Sequence, residues 1–177
     1  IFYYSTMGCA ASVQLPVLPQ PSSPLPFDPQ TFPKLGVRLA FLDDFIEQCG
    51  GRPCLQNLTT TEVCERFIKP VTNAAQSSYC DLLAFGNHPC VGQANVFISH
   101  AWKFQFLDVV DSLRNHFLGG DRNQRQEKEN EEVIVWFDLF SNNQHKAVDL
   151  DFNYWATTFK SAIESFGRTV MVLSPWQ

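Results

Sequence analysis

The sequence predicts an α/β fold: a parallel sheet with covering helices, preceded by a small helical region and a proline-rich tail. Three observations predict it. Short apolar runs at residues 96–98, 133–137 and 169–173 alternate with two amphipathic helix patterns. The runs are apolar throughout, without polar alternation, as strands buried on both faces of a parallel sheet are. The order strand, helix, strand, helix, strand joins such strands by right-handed crossovers.

The chain of 177 residues is long enough for one full domain and a smaller element. Its 45% hydrophobic and 18% charged residues are the balance of a globular protein. A net charge of −5 provides no basic footprint for nucleic acid and no general attraction to anionic lipid.

The six cysteines (Cys9, Cys49, Cys54, Cys64, Cys80 and Cys90) show no C-x-x-C pair and no His at finger spacing, so no zinc site is expected. The apolar start, Ile1 to Tyr4, is too short for a signal peptide, and no run approaches the roughly 20 apolar residues of a membrane span. The cysteines therefore read as reduced, mostly buried thiols of a cytoplasmic protein. In that compartment the sequon at Asn57 stays unglycosylated.

Residues 1–34 read as a disordered tail. Seven of the eleven prolines fall at positions 16, 19, 21, 24, 26, 29 and 33, a spacing that cannot pair backbone donors and favours an extended tether. Pro16 with Pro19, Pro21 with Pro24, and Pro26 with Pro29 each form P-x-x-P, but no Arg or Lys flanks them as in SH3-type ligands. Ahead of this run, Met7-Gly-Cys-Ala-Ala-Ser12 matches the myristoylation pattern, with Gly8 as acceptor and Cys9 placed for palmitoylation. Two acyl chains anchor a protein stably where one does not. This reading takes Met7 as the true start and leaves Ile1 to Thr6 outside the mature protein.

Residues 35–93 read as a helical region. Leu35, Leu39, Leu42, Phe45 or Ile46, and Cys49 recur at helical spacing, and Gly50-Gly51 supplies a stop. Thr59-Thr-Thr-Glu62 fits a capping box for a helix that turns Val63 and Phe67 inward and ends before Pro70. Tyr79, Leu82, Leu83 and Phe85 predict a third helix ending at Gly86.

From residue 94 the α/β pattern begins. After the first strand, Phe106, Val109, Val110, Leu113 and Phe117 form one helix face that ends at Gly119-Gly120. That glycine pair follows a helix and opens none, so it is a stop and not a phosphate loop. Residues 121–132, charged at eight of twelve positions, form a solvated loop. The second strand follows, then a helix face of Trp155, Phe159, Ala162, Ile163 and Phe166, then the third strand.

Open α/β sheets bind ligands beyond the carboxyl ends of their strands. The residues there are Ser99, His100 and Trp102, then Asp138, Asn142 and His145, then Ser174. His100, Asp138 and His145 could form a metal or acid–base group. The plainer reading has Asp138 capping a loop, with Asn142, Asn143 and His145 ordering the next connection through backbone hydrogen bonds. Trp102 and Trp136 read as core or crevice wall.

These segments resemble a known family. Val96-Phe-Ile-Ser99 looks like the first-strand box of TIR domains, and Ser165 through Ser174 is similar to their third strand. The resemblance is closest to a TIR-like group in multidomain algal and protist proteins, often fused to TPR or kinesin-light-chain-like repeats. It rests on Phe97-Ile-Ser-His-Ala-Trp102, Trp136-Phe-Asp-Leu-Phe140, Asn142-Asn-Gln-His-Lys146, Thr157-Thr-Phe-Lys160 and Gly167-Arg-Thr-Val170. The Thr59-to-Pro70 segment is also similar, so the likeness covers most of residues 35–177.

It implies a flavodoxin-like parallel sheet with strand order resembling 2-1-3-4-5, of which this sequence supplies the first three strands. The expectation is that the natural protein continues beyond Gln177 with the rest.

The resemblance also implies two branches of function: scaffolds that associate with themselves or partners, and enzymes that cleave NAD. The enzymes place a Glu on the helix before the third strand, where it stabilises an oxocarbenium-like centre. Here the matching positions are Thr158 or Phe159, neither acidic, and Glu164 lies one turn later. The sequence therefore favours a signalling or scaffold module acting through protein–protein association, with no cofactor, at the cytoplasmic face of a membrane when acylated. The alternatives are an NAD hydrolase using Ser99, His100 and Ser174, with NAD as ligand, and a nucleotide sensor without turnover.

Overall fold

A computed structural model describes residues 15–29, 31–119, 132–146, 160 and 163–173. The elements in chain order are β1 (Leu35–Arg38), α1 (Phe41–Gln48), α2 (Arg52–Leu55), α3 (Thr60–Val63), a π turn (Cys64–Ile68), α4 (Lys69–Thr72), α5 (Tyr79–Phe85), β2 (Val91–Gln93), β3 (Val96–Ser99), α6 (Phe106–Leu118), β4 (Ile134–Trp136), α7 (Asp138–Ser141) and β5 (Thr169–Met171). Five strands form one sheet in the order β2-β1-β4-β3-β5.

The α/β class is as expected, and the three strands read from the sequence are parallel: β3 pairs with β4 on one side and β5 on the other. The sheet as a whole is mixed, which corrects the purely parallel expectation. β1 runs antiparallel to both β4 and β2.

Residues 35–38 are thus a strand, not the start of a helix. Gly36 explains the difference. A Cβ there would stand 2.3 Å from the carbonyl oxygen of Val135, so only glycine lets β1 close onto β4 in this register. The helical spacing of Leu35, Leu39 and Leu42 is a coincidence of a strand followed by a helix.

The helix of residues 60–72 also departs from expectation. It begins on the predicted capping box: the Thr59 hydroxyl accepts from the Glu62 backbone N–H at 3.2 Å, and the Glu62 carboxylate accepts from Thr59 N–H at 2.8 Å. It does not stop before Pro70. The intervening π turn, in which Lys69 N–H reaches back to the Cys64 carbonyl, resets the register so that Pro70 falls in the first turn of α4. There its missing N–H is no loss.

The hydrophobic core runs across residue 94 without a break. Leu42, Phe45, Phe67, Tyr79 and Leu83 pack with Val96, Ile98, Phe106, Val135 and Phe140 in one cluster. Phe45 lies at its centre, with ring centroids 4.9 Å from Phe140 and 5.9 Å from both Tyr79 and Phe106. Residues 35–93 therefore contribute two strands to the sheet and much of its core. On the other sheet face Phe97 and Trp136 stack at 4.9 Å, with Phe32 stacked on Trp136 at 5.1 Å and Phe166 beside them.

Phe32 belongs to the tail that was expected to stand off as a tether. Instead, residues 15–20, Leu25 and residues 32–34 make contacts with the domain. Leu25 N–H donates to the Ala75 carbonyl at 2.9 Å, and Trp136 Nε1–H donates to the Pro33 carbonyl at 2.7 Å.

Cys49, Cys64 and Cys80 are buried free thiols and Cys90 is a half-buried one, whereas Cys54 is disulfide-bonded, against the expectation of reduced cysteines throughout. The acylation residues Gly8 and Cys9, the 121–131 loop, and Trp155 to Phe159 lie outside the described residues.

Candidate functional site

The carboxyl ends of β3 and β4 bring together three of the sequence-derived residues: His100, Trp102 and Asp138. β3 ends at Ser99, so His100 follows directly, and Phe137 leads from β4 into Asp138 at the first position of α7. Asp138 uses both oxygens. Trp102 Nε1–H donates to Oδ2 at 2.5 Å and the Leu139 backbone N–H donates to Oδ1 at 2.8 Å. His100 Nδ1 stands 3.8 Å from Oδ1, beyond hydrogen-bond reach. That nitrogen is buried and has no hydrogen-bond partner.

The other ring nitrogen meets a residue the sequence reading passed over. His100 Nε2 lies 3.1 Å from the Thr60 hydroxyl, and Thr60 is itself wholly buried. The hydroxyl can donate to a neutral ring, leaving the proton on Nδ1, facing Asp138.

Thr60 reaches this place because the start of α3 docks along the loop after β3. Thr60 N–H donates to the Phe104 carbonyl at 3.0 Å, Thr61 N–H to the Trp102 carbonyl at 3.2 Å, and Phe106 N–H to the Leu58 carbonyl at 2.9 Å. The capping box that marked Thr59 also signalled that Thr60 would lie where α3 starts. Nothing in the sequence said which loop that start would meet.

Burial sets the protonation of the pair. The His100 side chain is 0% exposed, with the Phe137 ring against it at 4.9 Å, and burial lowers its pKa to about 4. The ring is neutral at physiological pH. Asp138, 22% exposed, is raised to about 6 by burial, against the lowering effect of its bonds from Trp102 and Leu139. At physiological pH a largely ionised carboxylate thus faces a neutral imidazole across a gap that neither fills.

His145 lies apart from this pair. Its Nε2 is 2.9 Å from the Thr72 hydroxyl, which in turn is 2.9 Å from the Ile68 carbonyl, and burial lowers its pKa. Among the described residues no three of His, Cys, Asp and Glu are grouped to hold a metal ion, so His100, Asp138 and His145 do not form the ligand set considered above.

The connection after β4 is ordered instead by its amides. Asn143 Nδ2 donates to the Gln76 carbonyl at 2.7 Å, and its Oδ1 accepts from His145 N–H at 3.0 Å. Gln144 Nε2, which the sequence reading did not single out, donates to the Asp138 carbonyl at 2.7 Å. Asn142 joins through its backbone N–H, which donates to the same carbonyl at 3.1 Å. The Ser99 carbonyl accepts from Val172 N–H at 2.8 Å, joining β3 to the residue after β5. Ser174, Thr158 and Phe159 lie outside the described residues, and Glu164 is exposed.

Of the crevice residues that bear on the NAD alternative, the structure describes the surroundings of His100 and Asp138, and both are engaged by the fold. The imidazole that would face the ligand is enclosed by Thr60 and Phe137, and the carboxylate beside it is committed to Trp102 and Leu139. Comparison with protein-family models, curated proteins and solved structures finds no match to this chain. No helix among the described residues is long and apolar enough to cross a membrane.

Proposed function

We propose that this chain carries a TIR-like signalling or scaffold module that works through protein–protein association. The observation that supports this reading is the enclosure of His100. The start of α3 lies over the strand ends where a substrate would otherwise sit, and the Thr60 hydroxyl occupies the Nε2 position that a proton transfer would use. An imidazole with a pKa of about 4 and no exposed surface is a weak base with no access to substrate.

Among the described residues Met171 and Leu173 are 63% and 75% exposed, apolar side chains that an associating partner would cover.

The test has two arms on the full chain. Incubation with NAD is expected to release no nicotinamide above the buffer rate. Analytical ultracentrifugation is expected to show concentration-dependent association that Met171→Lys weakens. Nicotinamide release that His100→Ala abolishes would sink the proposal and establish the hydrolase instead.

A further inference from the structure

The proline-rich strap has no part in that function, yet its placement is specific. Leu15 and Leu18 pack against the main core, Pro16 is buried, and the Pro19 ring lies on Gly86. Further along, Gln20 Nε2–H donates to the Val71 carbonyl at 3.2 Å and Leu25 N–H to the Ala75 carbonyl at 2.9 Å. The outer side is solvent-facing: Val17 is 92% exposed, and Pro24, Pro26 and Pro29 are exposed.

Two physical features make this a groove with a chemical preference. First, the acceptors are carbonyls at and just beyond the end of α4, where a helix leaves its last carbonyls without intrahelical donors. A strand laid there must supply N–H groups at the right spacing. In Pro24-Leu25-Pro26 only Leu25 carries an N–H, and that one is used. Second, Gly86 has no side chain, and a Cβ there would stand 2.9 Å from Pro19 Cγ. The groove at the end of α5 is therefore shaped to a proline ring.

The segment from Leu15 to Phe27 carries no charge. Its prolines hold it extended before docking, which reduces the entropy lost on binding.

We propose that the groove between the ends of α4 and α5 is a docking site for an uncharged, extended, proline-rich peptide strand, and that residues 15–25 are its resident occupant in cis. Phe32 and Pro33, fixed to Trp136 on the opposite sheet face, anchor the strap's far end, so the occupant can leave while the sheet stays covered. A proline-rich segment of another protein would then bind by displacing it. Such a ligand competes with a tethered strand at an effective concentration on the order of millimolar.

The experiment uses the full chain and a fluorescent synthetic peptide of residues 15–27, followed by anisotropy. The wild-type chain, its groove filled, is expected to bind the peptide weakly. Leu18→Asp places a charge where the strap packs on the core, releases it, and is expected to raise the peptide's affinity about tenfold or more. Adding Gly86→Ala, which φ −79° tolerates, is expected to remove that binding because the new methyl meets the Pro19 ring. A peptide carrying Leu25→Pro, without the N–H for Ala75, is expected to lose it too.

Three results would overturn the proposal: no binding by the Leu18→Asp chain, binding that survives either control, or loss of cooperative unfolding in Leu18→Asp. The last would make the strap an inseparable part of the core.

Discussion

His100 and Asp138 make opposite demands on pH, and their near cancellation can be unmasked one residue at a time. Folding raises the Asp138 pKa from its ordinary value of 3.8 to about 6, so the folded state holds this proton more tightly than the unfolded state. Its contribution to stability is greatest below pH 3.8 and is lost as pH rises through about 6. His100 does the reverse. Its pKa falls from 6.5 to about 4, so its contribution is least below pH 4 and is recovered as pH rises through 6.5. At about 1.4 kcal/mol for each tenfold change in proton affinity, either swing is worth roughly 3 kcal/mol.

In the wild-type protein the two slopes oppose each other between about pH 4 and 6. Asp138→Asn keeps an acceptor for Trp102 and removes one slope. Its stability relative to wild type should climb by roughly 3 kcal/mol from pH 4 to 6. His100→Gln should fall relative to wild type by a similar amount over the same range. Urea unfolding of the three proteins at pH 4, 5 and 6 measures both differences. If both variants run parallel to wild type within about 0.5 kcal/mol, burial is not what governs this pair.

Two further outcomes follow from the packing. Phe45→Ala, which removes the ring contacting Phe140, Tyr79 and Phe106, should cost about 3–5 kcal/mol in urea unfolding, with residues 35–93 and the rest of the sheet still unfolding in one transition. Asn143→Ala leaves the Gln76 carbonyl and the His145 N–H without their partner. It should cost about 1–3 kcal/mol, with faster hydrogen exchange at the His145 amide.

Much of the local structure was legible because local rules govern it. The Thr59–Glu62 capping box, the stop at Gly50-Gly51 and the apolar runs that became β3, β4 and β5 depend on neighbours within a few residues. Gly36 could have been read as a close-approach position, but a single glycine beside a leucine repeat does not announce a strand. β1 and β2 are short, and what makes them strands is pairing with residues about 50 to 100 positions away in the chain, a cost local propensity does not record. The π turn escaped for a related reason. Pro70 forbids an ordinary helix bond, and tertiary packing of Phe67 and Ile68 holds the register shift that accommodates it.

The candidate site divides the same way. The alternation of apolar strands and polar strand ends placed His100, Trp102 and Asp138 near one another. Only the fold decided what surrounds them: α3, about 40 residues earlier, delivers Thr60 onto His100, Phe137 closes the ring's other side, and His145 turns away to Thr72.

The proline-rich segment is the clearest case. Composition made it extended, because proline fixes φ and removes donors. Composition could not say whether an extended strand would meet solvent or a surface. That depended on the unpaired carbonyls at the end of α4 and the missing side chain of Gly86, which become neighbours of the strap only in the folded chain. The sequence by itself determined the caps, the glycine stop and the longer apolar strands, since those choices cost free energy within a few residues. The tertiary structure decided which buried polar groups find partners and which, like His100 Nδ1, do not, since those partners come from distant parts of the chain.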